Sequence, residues 1–183
     1  MLQISKKSCT FAAQKNVPIM LEAFYKTHNY LVDHVQVPAR RLLMDEINWN
    51  DRLIAIKGGR GVGKTDFLLN YAKELRTTNP ELSKRTLYVN FNDFYFTEHS
   101  LVEFAGEFVA AGGHTLLIDQ AFKYPNWSRE LSQCYYNYKD LHIVFTASSV
   151  MRLVEDNKDL CSIVHPYNLR GFSFREYLNV TLG

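Results

Sequence analysis

The sequence predicts an α/β fold in which a five-stranded, mainly parallel sheet lies between helices, preceded by a helical extension. Three observations carry that prediction. Short β-branched runs recur from residue 53 onward, a helical stretch follows most of them, and residues 1–50 lack the alternation. Strands alternating with helices imply right-handed crossovers and a sheet covered on both faces. With 183 residues, 46% of them hydrophobic, the chain is long enough to bury such a core.

The extension, residues 1–50, is expected to hold two helices. Ile19 to Val32 can form an amphipathic one, and Pro38 suits the first turn of a second over Ala39–Ile47, with Arg40 and Arg41 near its start. Residues 51–183 form the core. Its strand candidates are Leu53–Lys57, Thr86–Phe91, Thr115–Asp119 and His142–Thr146, with a weaker fifth over Ile163–Leu169. Helices are expected over Lys64–Arg76, Ser100–Ala111, Trp127–Tyr138 and Ser173–Leu182, with a short piece at Ser149–Glu155. Asn126 or Ser128 is the expected cap of the helix that begins at Trp127, Trp127 should pack on the sheet, and Tyr135, Tyr136 and Tyr138 read as partly buried packing.

Charge and cysteine usage exclude several classes. A formal net charge of +2 gives no reason to infer a nucleic-acid or membrane surface. Cys9, Cys134 and Cys161 are odd in number and far apart, which argues against a zinc site or disulfide framework and fits a reducing cytosol. The first 20 residues hold no continuous apolar stretch, and no segment approaches the ~20 apolar residues that span a bilayer. A cytoplasmic protein without a membrane partner is the expectation.

The strongest motif is Gly58-Gly59-Arg60-Gly61-Val62-Gly63-Lys64-Thr65, which fits G-x-x-x-x-G-K-[ST]. Glycines let successive backbone N–H groups turn inward as a nest for phosphate oxygens, and the helix that follows points its positive end at the same anion. Lys64 supplies a point charge to the β- and γ-phosphates, and the Thr65 hydroxyl suits Mg²⁺. The stretch from Gly58 to Asp66 is therefore the expected nucleotide-binding segment of a P-loop NTPase, with ATP and Mg²⁺ as ligands.

Phosphoryl transfer needs a second metal-holding carboxylate at the end of a neighbouring strand. Thr115-Leu116-Leu117-Ile118-Asp119 offers Asp119 at such a tip. Next comes Gln120, where fast ATPases carry a glutamate that polarises water. An amide can orient a water but cannot accept its proton at neutral pH. Either the protein is a slow hydrolyser or nucleotide-gated switch, or a glutamate was replaced there to trap bound ATP. Asp93 and Glu98 are substitute bases to consider. The fourth strand ends in Thr146-Ala147-Ser148-Ser149, whose hydroxyls can sense the γ-phosphate, hold the water or cap a helix.

These residues resemble the AAA+-like ATPase domain found in many uncharacterised bacterial and archaeal proteins, where it precedes a C-terminal domain of nuclease-like fold. The matching pieces are Lys57 to Thr65, Leu117-Ile118-Asp119-Gln120, Lys123 to Ser128, Ile143 to Ser149, and Leu169-Arg170-Gly171-Phe172-Ser173-Phe174-Arg175-Glu176-Tyr177. The resemblance implies a five-stranded core in which Asp119 holds Mg²⁺ and Thr146 or Ser148 acts as the polar sensor. It also implies a continuation beyond Gly183. Arg60, Arg152 and Arg170 are candidates for the arginine that neutralises transition-state charge in such enzymes, Arg170 foremost. Lys64, Gln120, Ser148 and Arg170 thus form the expected catalytic set, and Thr65 with Asp119 the metal pair.

The expected function is Mg²⁺-dependent ATP binding and slow hydrolysis coupled to conformational change. The alternative is a non-hydrolysing, ATP-binding regulatory module. A small-molecule kinase would need an arginine-rich lid, which is not evident. The guanine-reading N-K-x-D pattern is only approached by Asn157-Lys158-Asp159-Leu160.

Overall fold

The computed structural model describes residues 19–36, 38–148 and 158–182. Its strands are β1 (Leu53–Gly58), β2 (Thr86–Asn90), β3 (Thr115–Asp119), β4 (His142–Ser148) and β5 (His165–Asn168). The helices are α1 (Ile19–His34), α2 (Leu43–Glu46), α3 (Lys64–Thr78), α4 (Pro80–Lys84), α5 (Tyr95–Glu98), α6 (Leu101–Ala110), α7 (Trp127–Asn137), α8 (Lys158–Ile163) and α9 (Phe174–Leu182). The strands pair in the order β2-β3-β4-β1-β5, and every pairing is parallel. Because β4 lies between β1 and β3, the loop after β1 and the tip of β3 meet across the end of β4. That is the edge at which open parallel sheets bind ligands.

Alternation along the strands decides what each face buries. Leu53 and Ala55 of β1, Leu116 and Ile118 of β3, and Ile143 and Phe145 of β4 point to the face covered by α6 and α7, where Phe104, Phe108 and Leu131 meet them. Ile54, Ile56, Leu117 and Val144 point the other way, onto Phe67 and Leu68 of α3 and Met44 of α2. All these side chains are buried. Each large apolar one contributes on the order of 2 kcal/mol by leaving water.

Helix α1 closes the β2 edge of the sheet and reaches both cores, Leu21 entering one and Val32 the other. The joint is His28. The Tyr88 backbone N–H, on the outer side of β2, donates to His28 Nδ1 at 3.0 Å. Burial, with Arg76 nearby, pushes the His28 pKa down to about 4. The ring is therefore neutral, with its proton on Nε2.

The five strands and their order of appearance agree with the sequence reading, as do α1, α3, α6 and α7. Differences are local. The second helix is confined to Leu43–Glu46, because the Leu42 N–H is drawn to the Glu176 carboxylate at 2.9 Å. Helix α4 was not anticipated; Pro80 at its first turn and the Asn79 side chain accepting the Leu82 N–H start it. The fifth strand is shorter than expected, since α8 occupies Lys158–Ile163. Asn126 makes no side-chain cap, whereas Trp127 does lie against Phe145 of the sheet, ring centroids 6.0 Å apart. Tyr136 is exposed rather than packed. The expected helix at Ser149–Glu155, like Arg152 and Asn157, lies outside the described residues.

Candidate functional site

The chain from Gly58 to Thr65 links β1 to α3 and needs its glycines. Gly61 and Gly63 have φ of 79° and 86°, a region that strains any other side chain. A Cβ at Gly58 would lie 2.5 Å from the Leu169 carbonyl oxygen, so the loop sits tight against the chain after β5. Lys64 reaches back into the loop, where its Nζ donates to the carbonyls of Gly58 and Gly59 at 2.8 and 2.7 Å. Partial burial lowers its pKa, an effect the nearby Asp119 opposes.

Asp119, 2% exposed, is the hub on the other side. Its Oδ2 accepts from the Thr65 hydroxyl at 2.6 Å and the Tyr88 hydroxyl at 3.1 Å. Its Oδ1 accepts from the Thr146 hydroxyl at 2.6 Å and the Gln120 N–H at 2.9 Å. Every one of these donors is neutral. Thr146 is fully buried and also accepts the Gln120 N–H, at 2.8 Å, which makes it a support for Asp119. Gln120 itself is left-handed, with φ 54° and ψ 41°, the one such non-glycine among the described residues.

A hydroxyl and a carboxylate in contact are hard oxygen donors of the kind Mg²⁺ takes, usually alongside substrate phosphates and water. Among the described residues no group of three or more His, Cys, Asp or Glu could hold a metal. The Thr65–Asp119 pair offers oxygen donors of the kind that suit Mg²⁺ carried by a phosphate ligand.

Two clefts flank the loop. The larger, about 710 Å³, is lined by Lys64, Thr65, Gln120, Thr146 and Ser148 among others. The smaller, about 280 Å³, lies behind the loop between Pro38, Ala39, Val62, Phe67 and Phe172, with Asn70 contributing an amide. Arg60, Gly61, Gly63 and Asp66 border both, so one ligand can bridge the two compartments.

Lys64, Thr65, Gln120, Thr146 and Ser148 thus line one cleft, with Asp119 bonded to Thr65, Thr146 and Gln120. Arg170 is exposed and lines neither cleft; its backbone carbonyl accepts from Arg41. Arg60 is exposed at the mouth shared by both clefts. Asp93 and Glu98 stand apart: Asp93 accepts the Tyr95 N–H at 2.9 Å and Glu98 lines a separate surface groove.

Three residues escaped the sequence reading. Tyr88 ties Asp119 to the next strand. Arg41 and Glu176, 7% and 4% exposed, form an ion pair at 3.0 Å behind the loop, and Arg41 donates to the Val62 carbonyl at 3.0 Å. Burial alone would raise the Glu176 carboxyl, but the N–H groups of Ser173 and Leu42 together with Arg41 hold it at about 2. The signal for Glu176 was present, since Ser173-x-x-Glu176 has capping-box spacing. Both bonds of that box form, from the Ser173 N–H to Glu176 at 2.7 Å and from the Glu176 N–H to the Ser173 hydroxyl at 3.2 Å.

The family model described as an AAA domain matches residues 50–178. Among solved structures, domain III of the replication initiation protein DnaA from Thermotoga maritima is similar at a TM-score of 0.52 and 19% identity, over 91% of this chain and 71% of that one. That likeness shows the fold. PCH-2 of C. elegans (TM-score 0.49, 20% identity) is matched over 82% of this chain, which spans 43% of the PCH-2 chain. AMPPCP-bound DnaA from Aquifex aeolicus (TM-score 0.48, 15% identity) is matched over 88% of this chain and 50% of its own. No curated protein matches. Among the described residues, no helix is long and apolar enough to cross a membrane.

Proposed function

The chain belongs to the AAA domain family, and from that premise we propose that it binds ATP with Mg²⁺ at the phosphate loop and hydrolyses it slowly, coupled to a conformational change. One observation carries the reading. Thr65 and Asp119, 54 residues apart, meet at 2.6 Å beside the loop that holds Lys64. A glycine-rich turn serving only to join a strand to a helix has no use for that pairing.

In this reading the inward N–H groups of the loop take the β- and γ-phosphate oxygens, and the Lys64 ammonium leaves the Gly58 and Gly59 carbonyls to join them. Mg²⁺, when bound by the Thr65 hydroxyl and the Asp119 carboxylate, supplies the positive charge that offsets those oxygens. Thr146 keeps Asp119 in place, and Ser148 faces the terminal phosphate from the end of β4. The smaller cleft receives the base, with Phe67 and Phe172 as apolar walls and Asn70 as the polar contact. Gln120 lines the phosphate cleft and can orient a water, yet it cannot take the proton. Arg170 lines neither cleft and takes no part in this reading.

Gln120 also favours a second reading, an ATP-binding regulatory module that holds its nucleotide without turnover. Calorimetry with Mg²⁺-ATP, with Lys64→Ala as the control, tests the binding. Binding by the wild type that vanishes in the variant supports the site, and no binding by the wild type ends the proposal. Turnover of the wild type and of Gln120→Glu separates the two readings. A catalytic site gains rate on regaining a carboxylate. If both proteins bind ATP and neither hydrolyses it, the regulatory reading holds.

A further inference from the structure

We propose that Arg41 is a positioning residue for the phosphate loop, fastening it to the cap of α9 so that loop geometry and residues 170–176 are set together. The consequence for ligands rests on the nucleotide reading above; the fastening itself rests on geometry alone.

A guanidinium presents five N–H groups in a rigid planar fork. Here its Nε donates to Glu176 Oε1 at 3.0 Å, Nη1 to the Val62 carbonyl at 3.0 Å, and Nη2 to the carbonyls of Arg170 and, at 3.4 Å, Gly171. The same cation lies 4.7 Å above the centre of the Phe172 ring. One buried side chain thus joins three stretches of chain: the segment before α2, the phosphate loop, and the turn leading into α9.

The Val62 contact bears on the site. A trans peptide sends its C=O and N–H in opposite directions. Holding the Val62 carbonyl therefore fixes the direction of the Gly63 N–H, the amide just before Lys64. Glycine on either side of Val62, both at positive φ, leaves these peptides with little side-chain restraint of their own. An outside hold is what keeps such a nest open in the absence of an anion.

Glu176 makes that hold firm. Its carboxylate also accepts the N–H groups of Leu42 at 2.9 Å and Ser173 at 2.7 Å, so the backbone pins it from both sides and it cannot follow Arg41 away. Glu176 lines neither cleft. Of its partners Arg41 is the one that donates to the loop, so Arg41 is its direct path to a phosphate ligand. By linkage, a ligand that favours the held loop favours the ordered 170–176 turn to the same degree, and the reverse.

The test uses the full chain as wild type, Arg41→Lys, Glu176→Gln and the double variant. Lysine keeps a cation opposite Glu176, and hence the fold, but cannot span the loop and the 170–171 carbonyls together. Two readouts are taken: amide hydrogen exchange of residues 59–65 and 170–177 without ligand, and calorimetry with Mg²⁺-ATP and with inorganic tripolyphosphate, which has no base. In Arg41→Lys, exchange in the loop should quicken and affinity for both ligands should fall, each by about tenfold, as for one lost charge-assisted hydrogen bond. Glu176→Gln should change both in the same direction, and the double variant should be no weaker than Arg41→Lys alone.

Unchanged loop exchange in both single variants overturns the inference. So does a loss of ATP affinity with tripolyphosphate affinity intact, which would assign Arg41 to the base, and so does a fully additive double variant. If Arg41→Lys does not fold, loop exchange in Glu176→Gln decides alone. A wild type that binds neither ligand sinks the nucleotide reading, while the exchange comparison still decides the clamp.

Discussion

Two buried carboxylates, one on each side of the phosphate loop, are satisfied in opposite ways. Asp119 is surrounded by neutral donors, the hydroxyls of Thr65, Tyr88 and Thr146 and one backbone N–H. Glu176 is met by a buried guanidinium and two backbone N–H groups. Burying a charge with no opposite charge in contact is costly; the nearby Lys64 directs its ammonium to the Gly58 and Gly59 carbonyls, so Asp119 is left with a deficit that an incoming cation removes. Glu176 has no such deficit. The difference separates a site held ready for a ligand from a joint that is already made.

That contrast can be broken most strongly at Glu176. Glu176→Ala leaves Arg41 buried and unpaired, which should cost about 3–5 kcal/mol of stability in urea unfolding. A cost under about 1 kcal/mol would mean the guanidinium finds water instead.

Acid titration sharpens it next. The folded pKa of Glu176, about 2, lies below its ordinary 4.5, so its contribution is complete above pH 4.5 and disappears as pH falls through 2. His28, at about 4 against an ordinary 6.5, acts in a separate, higher window. Its contribution is complete above pH 6.5 and is lost as pH falls toward 4, in all roughly 3 kcal/mol. Unfolding free energy followed from pH 7 to 4 should therefore fall in wild type and lose most of that slope in His28→Gln, while Glu176→Gln should lower stability by a constant amount over that range and change the slope only below pH 4.5.

Smaller effects belong to the ligand side. Gln120→Gly removes a side chain from left-handed backbone and should stabilise the fold by about 1 kcal/mol, read as a raised thermal midpoint. Asp119→Asn should change stability least, by less than about 1 kcal/mol, because relief of an uncompensated buried charge offsets a weakened hydrogen-bond hub. The same variant should abolish Mg²⁺-dependent ATP binding. A large loss of stability in Asp119→Asn would put Asp119 in the same class as Glu176 and remove the distinction.

What could be read in the sequence was what is local. The glycines and Lys64 sit in one unbroken stretch, and Asp119 closes a run of apolar residues, so both announce themselves. The sheet followed from alternating runs whose period fixes which face each residue joins. Arg41 had no such marker. It lies in a stretch read as the start of a helix, and the partner that gives it meaning is 135 residues away. Tyr88 read as one more apolar strand position, because only the folded sheet brings its hydroxyl to Asp119. The short fifth strand was blurred for a related reason: it is an edge strand whose four residues, His165 to Asn168, are mostly exposed, so no burial pattern marks its ends.

The contact between His28 and Tyr88 reaches beyond stability. An uncovered strand edge is a template on which another chain can add a strand. By occupying an outward N–H of β2 and laying α1 along that edge, the protein removes the template. The family match begins at residue 50, so a fragment cut to the matched region would keep Lys64, Thr65 and Asp119 but lose both Arg41 and the cover of β2. Such a fragment would become sticky, self-associating through β2 in a way the longer chain does not.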